Sequence, residues 1–190
     1  MIRRTFMILS LVALCAPAFA AELEIGAKAP EFKDLPGTDG KEYSLADMKD
    51  AKAVVISFTC NQCPVSVAYE DRFIEFTKQY GEKGVKFIAI NCNKNREDLA
   101  AMKTRAEEKG FNFPYVFDES GKLATEYGAR VTPHMYVIDA KGKIAYVGSF
   151  DDKQDDPKKH YVADAVDAVL AGKTPEVTNT KAFGCGIGNK

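Results

Sequence analysis

The sequence predicts an α/β fold of three layers, a central mixed sheet flanked by helices. Three observations point to it. Two continuous apolar runs rich in β-branched residues, 53–58 and 85–91, read as strands buried on both faces. Each run is followed by a segment with helical spacing of its apolar residues. The chain then ends on two short strand patterns joined by a tight turn, and a last helix. The first half implies a βαβ unit with parallel strands and the second an antiparallel ββα unit, so the sheet is mixed. A chain of 190 residues suits one such domain, and a composition 46% hydrophobic and 28% charged argues against long disorder.

The N-terminus is separate from this domain. Arg3 and Arg4 precede an apolar run, Phe6 to Cys15, and Ala18-Phe19-Ala20 supplies a small-x-small cleavage signal. That is the anatomy of a secretory signal peptide over residues 1–20. Its apolar run is shorter than the ~20 residues of a membrane span, so no stable membrane insertion is expected. Arg3-Arg4 resembles a twin-arginine signal, but the very short positive region suits an ordinary secretory one. Cys15 leaves with the signal. The expectation is export, to a periplasm or outside the cell. The mature chain carries 24 basic against 27 acidic residues, net −3, which gives no footprint for nucleic acid or an anionic membrane.

Along residues 22–52, Asp39-Gly40 between Phe32-Lys33 and Glu42-Tyr43 predicts a small hairpin, and Ser44 to Asp47 a capped helical turn. After the strand at 53–58, Val65, Tyr69, Phe73, Phe76 and Tyr80 share one face of a long helix stopped by Gly81 and Gly84. The strand at 85–91 leads to a helix over 98–109 ended by Gly110. A short strand at 115–117 and a short helix at 123–127 follow. Strands at 135–139 and 144–147 flank a turn at 140–143. A helix over 161–170 is expected to turn Val162, Ala165, Val166 and Leu170 inward. The domain is expected over 21–175, with a Gly-rich, Cys-containing tail over 176–190.

Four cysteines remain after export: Cys60, Cys63, Cys92 and Cys185. An oxidising compartment requires them paired, buried or used. Cys60-Asn61-Gln62-Cys63 lies at the junction of a buried strand and a long helix. Placed at the helix start, Cys60 gains from orphan N–H groups and the helix dipole, which stabilise a thiolate. Thiolate is the nucleophile, so Cys60 is expected to be the more acidic, more exposed, attacking sulfur, and Cys63 the resolving one. A static staple closes too small a loop to add much stability. A zinc site lacks a second Cys pair, and no cofactor is expected. Asn61 and Gln62 are neutral, which favours a reductase over a strong oxidant.

The order of elements is similar to that of the thioredoxin superfamily. The stretch Thr59-Cys-Asn-Gln-Cys-Pro-Val-Ser-Val-Ala-Tyr-Glu-Asp-Arg72 resembles its peroxiredoxin-like redoxin branch, as do Thr132-Pro133-His134, Asp151-Asp152 and the tail Thr180 to Cys185. The resemblance spans most of residues 24–190, with departures at Gln62 and Val65-Ser66-Val67. It implies that Thr132-Pro133 is a cis-proline site abutting the dithiol and offering backbone to an extended substrate. The implied partners are protein or small-molecule disulfides and a thiol electron donor.

Two other readings stand beside disulfide exchange. A peroxidase pattern counted back from Cys60 finds its hydroxyl at Ser57 but Ala53 in place of Pro. The family's arginine position falls on Pro133, leaving Arg130 as the nearby substitute. A copper chaperone would use Cys60, Cys63 and His134, soft thiolates with an imidazole. Cys92 reads as a small buried hydrophobe. Cys185 either resolves a mixed disulfide or pairs with Cys92. His160 has no assigned role.

Overall fold

The structure, a computed structural model, describes residues 23–188; the expected signal at 1–20, Cys15 included, lies outside them. A two-residue hairpin comes first, β1 (Leu35–Pro36) against β2 (Glu42–Tyr43). Its first arm was expected at Phe32-Lys33. It lies three residues later because Phe32 is buried in the core and the Gly37 N–H closes the turn on the Lys41 carbonyl at 2.7 Å. A single 3-10 turn, Leu45–Met48, starts where the Asp47 carboxylate accepts from the Ser44 N–H at 2.9 Å.

There follow β3 (Ala53–Phe58), α1 (Pro64–Gly81), β4 (Val85–Asn91), α2 (Leu99–Lys109), β5 (Tyr115–Phe117), α3 (Lys122–Tyr127), β6 (Val131–Thr132), β7 (His134–Asp139), β8 (Ile144–Gly148), α4 (Tyr161–Leu170) and β9 (Cys185–Gly186). The main sheet runs β5-β4-β3-β7-β8. β3 is central, parallel to β4 and antiparallel to β7. The expected mixed sheet is therefore present. The pair β6–β9 has no sequence signal, because two residues are too few to show a period.

Alternation along β3 builds two cores. Ala53 and Val55 face Tyr69, Phe73, Phe76 and Tyr80 of α1 and Val162, Ala165 and Val166 of α4. Val54, Ile56 and Phe58 face Met48, Phe32 and Leu123, Ala124 and Tyr127 of α3. Each large side chain fully buried here contributes about 1.5–3 kcal/mol. Polar pins add to this. Glu70, 5% exposed, takes two hydrogen bonds from Arg105 of α2 at 2.9 and 2.6 Å. Arg72 donates to Asp151 at 2.8 Å and to the Gln154 carbonyl, while lying over the Tyr69 ring. Asp151 is fully buried, and His160 meets its other oxygen at 2.8 Å. Glu70 and Arg72 thus tie α1 to α2 and to the loop after β8.

Candidate redox site

Pro64 fixes where α1 begins. Proline suits the first helical position, and it holds the preceding residue in extended geometry. Cys63 accordingly is the N-cap, at φ −83° and ψ 113°. The Ser66 N–H donates to Cys63 Sγ at 3.4 Å. The helix start expected at Cys60 therefore lies three residues further on, and the helix-terminus N–H serves Cys63.

Cys60 follows the end of β3, where the Thr59 N–H still pairs with the Ile90 carbonyl at 2.9 Å. Asn61 and Gln62 form the turn between strand and helix. Their N–H groups both donate to the Glu97 carboxylate, at 2.9 and 3.0 Å. Glu97 is 6% exposed and is also held by Asn91 Nδ2 at 2.7 Å. The amide side chains are committed elsewhere: Asn61 to the Ala101 carbonyl and the Tyr115 hydroxyl, Gln62 to the Arg96 carbonyl. Sequence reasoning missed Glu97. Its sole signal was an acid just before the Asp98 cap.

Thr132 gathers the two sulfurs. Cys63 Sγ lies 2.9 Å from the Thr132 carbonyl oxygen, to which it donates when it carries the proton, and Cys60 Sγ lies 3.4 Å from Thr132 Oγ1. The Thr132–Pro133 peptide is cis. Both cysteines are free thiols, and they are 4% and 1% exposed. Cys60 is the more exposed of the two, as expected, but only marginally, and both sulfurs belong to buried residues.

The two thiols titrate as one unit. The hydrogen bond from Cys60 draws Cys63 well below the ordinary thiol range, helped by Cys185 and the Ser66 N–H. The same bond with Cys63, together with burial and the nearby Glu97 charge, holds the Cys60 proton far above the thiol range. The expectation that Cys60 is the more acidic is thus reversed in the dithiol form, because the cap N–H and the donated hydrogen bond fall on Cys63.

Cys185, on β9, stands directly across the ladder from Thr132. Its thiol is raised, foremost by its hydrogen bond with Cys63. The alternative pairing with Cys92 is not made: Cys92 is buried, raised by that burial, and 3.8 Å from Asp118. His134 is buried against Tyr136, with ring centroids 4.9 Å apart, and accepts from the Arg130 N–H at 3.4 Å. Among the described residues no group of three His, Cys, Asp or Glu side chains is arranged to hold a metal. Cys60, Cys63 and His134 do not form the copper set. Ser57 is fully buried and its Oγ has no hydrogen-bond partner, so it does not bond Cys60; Arg130 is exposed.

The fold is an α/β sheet flanked by helices, and the site brings two free thiols together at one strand-to-helix junction. Residues 24–166 match the family model described as Redoxin, and the chain belongs to that family and is an oxidoreductase. It is 31% identical over 126 residues to the thiol-disulfide oxidoreductase ResA of Bacillus thuringiensis (strain Al Hakam), covering 65% of this chain and 68% of that one. A protein of Mycobacterium tuberculosis named as a peroxiredoxin is 28% identical over 131 residues, 63% of this chain and 80% of that one. A crystal structure of an uncharacterized conserved protein from Geobacillus kaustophilus superposes with TM-score 0.82 at 32% identity, covering 96% of this chain and 98% of that one.

Proposed function

We propose that this chain is an exported thiol-disulfide oxidoreductase, working as a reductase on protein or small-molecule disulfides. The observation that carries the reading is the placement of both Cys60 and Cys63 within hydrogen-bond reach of Thr132. As a disulfide arrives, the Cys60 proton passes along the shared bond to Cys63. The Thr132 carbonyl accepts a hydrogen bond from the thiol so formed, and Thr132 Oγ1 donates to the charge left on Cys60. Cys60 attacks one substrate sulfur and the other leaves as a thiol. Cys63 then attacks Cys60 Sγ, releasing the second thiol and closing the Cys60–Cys63 disulfide. A thiol donor reopens it. The backbone at Thr132-Pro133 is the docking edge for an extended substrate.

The Glu97 carboxylate works against a thiolate on Cys60. This supports the reducing direction, since a less stabilised dithiol gives up electrons more readily. The mutual bond with Cys63 acts oppositely, so the reduction potential decides; it is expected nearer about −270 mV than −120 mV. Export is supported by the residue pattern at 1–20, and among the described residues no helix is long and apolar enough to cross a membrane.

Cys60→Ser should abolish reduction of insulin disulfides, and Cys63→Ser should trap a mixed disulfide on Cys60. Full activity in Cys60→Ser would sink the reading. The peroxiredoxin-named relative keeps peroxide reduction as the second reading. Consumption of hydrogen peroxide with a dithiol donor, faster than insulin reduction, would favour it.

A further inference from the structure

We propose that Cys185 is a third redox cysteine, which exchanges with the Cys60–Cys63 disulfide to form a Cys63–Cys185 disulfide. The proposal rests on the dithiol reading above. Its basis is the position of the chain's end. β9 pairs antiparallel with β6, and Cys185 is the ladder partner of Thr132, the residue that holds both sulfurs. The segment is fixed on both sides of Cys185. The Ile187 N–H donates to the Arg130 carbonyl at 2.9 Å, and the Phe183 ring lies 6.3 Å from that of Tyr69 on α1.

Gly184 permits the approach. A Cβ there would collide with the Thr132 carbonyl oxygen, and φ of +149° suits glycine. Through Thr132, which is the ladder partner of Cys185 and the hydrogen-bond partner of Cys63, the two cysteines are neighbours, and Cys63 accordingly raises the Cys185 thiol. Cys185 is also half-buried, whereas Cys60 and Cys63 are 4% and 1% exposed. It is the one of the three that solvent and a thiol donor reach readily.

The exchange balances without an added oxidant. The disulfide substrate, already reduced, has left two oxidising equivalents in the Cys60–Cys63 bond. Cys185 gives its proton to water, and its thiolate attacks Cys63 Sγ. The Cys63–Cys185 bond forms as the Cys60–Cys63 bond breaks. The electron pair goes to Cys60, which takes up a proton. The disulfide has moved from the buried pair to a partly open sulfur. There an external thiol attacks Cys185 Sγ and Cys63 leaves.

Trypsin makes the test direct. Peptide 53–72 carries both Cys60 and Cys63, and peptide 182–190 carries Cys185. The purified protein is oxidised with oxidised glutathione, its free thiols are alkylated, and it is digested without reduction. The 53–72/182–190 crosslink is expected in wild type and in Cys60→Ser, and is expected to vanish in Cys63→Ser. Re-reduction by excess thiol should slow at least fivefold in Cys185→Ser. A wild-type chain holding only the Cys60–Cys63 disulfide overturns the proposal and leaves the dithiol reading standing. A crosslink that survives in Cys63→Ser assigns Cys185 to Cys60 and overturns the exchange. Absence of any disulfide within 53–72 or between the two peptides overturns the dithiol reading itself.

Discussion

At Cys63 a single neighbour, Pro64, decides which sulfur caps the helix. The spacing of two cysteines was legible in the sequence, and so was the strand-to-helix junction. The frame of the helix start was also written there, in the proline, but the dipole argument assigned it to Cys60. Glu97 was not legible, because an acid becomes an anchor only when a loop brings it beneath two N–H groups. His134 gives a pH test. Burial, with Arg130 nearby, lowers it from 6.5 to about 4. Below pH 6.5 the unfolded chain therefore binds a proton that the folded chain refuses. Stability is full above pH 6.5 and falls as the pH drops toward 4. Between pH 7 and pH 5 the wild type should lose about 2 kcal/mol more than His134→Phe, from the linkage relation. Urea midpoints at the two pH values measure this, and equal losses would refute it.

At the scale of elements, α1 carries both the dithiol's cap and the pins that orient it. Its buried aromatic face was legible from three- and four-residue spacing, and its bounds follow from Pro64 and Gly81. Its polar pins were not, since Arg105 and Asp151 lie 35 and 79 residues from Glu70 and Arg72 in sequence but beside them in space. Arg72→Met leaves the fully buried Asp151 with His160 alone. Because Arg72 is itself 32% exposed, the loss should fall near the low end for a broken buried pair, about 3 kcal/mol. Chemical denaturation should show this as a lower midpoint with an unchanged slope; an unchanged midpoint would mean the pin carries no weight.

For the whole molecule, the sheet divides the interior into two cores and the chain's end closes over the site. β9 is two residues long and belongs to no main-sheet strand, so removing residues 184–190 should leave the fold intact and uncover the edge at Thr132. The truncated protein should keep its far-UV circular dichroism while iodoacetamide modifies the reduced pair at least fivefold faster. Equal rates would show that the tail does not shield the sulfurs.

By itself the sequence determined the order of the main-sheet strands and the helices, the two faces of the sheet and the Cys60–Cys63 spacing, because alternation, helical spacing and proline act locally along the chain. Tertiary structure alone decided which thiol receives the helix N–H and hydrogen bonds, that Glu97 anchors the turn, and that Cys185 stands across from Thr132. Each of those depends on groups distant in the chain meeting in a water-poor site, where hydrogen bonds and charges set the chemistry.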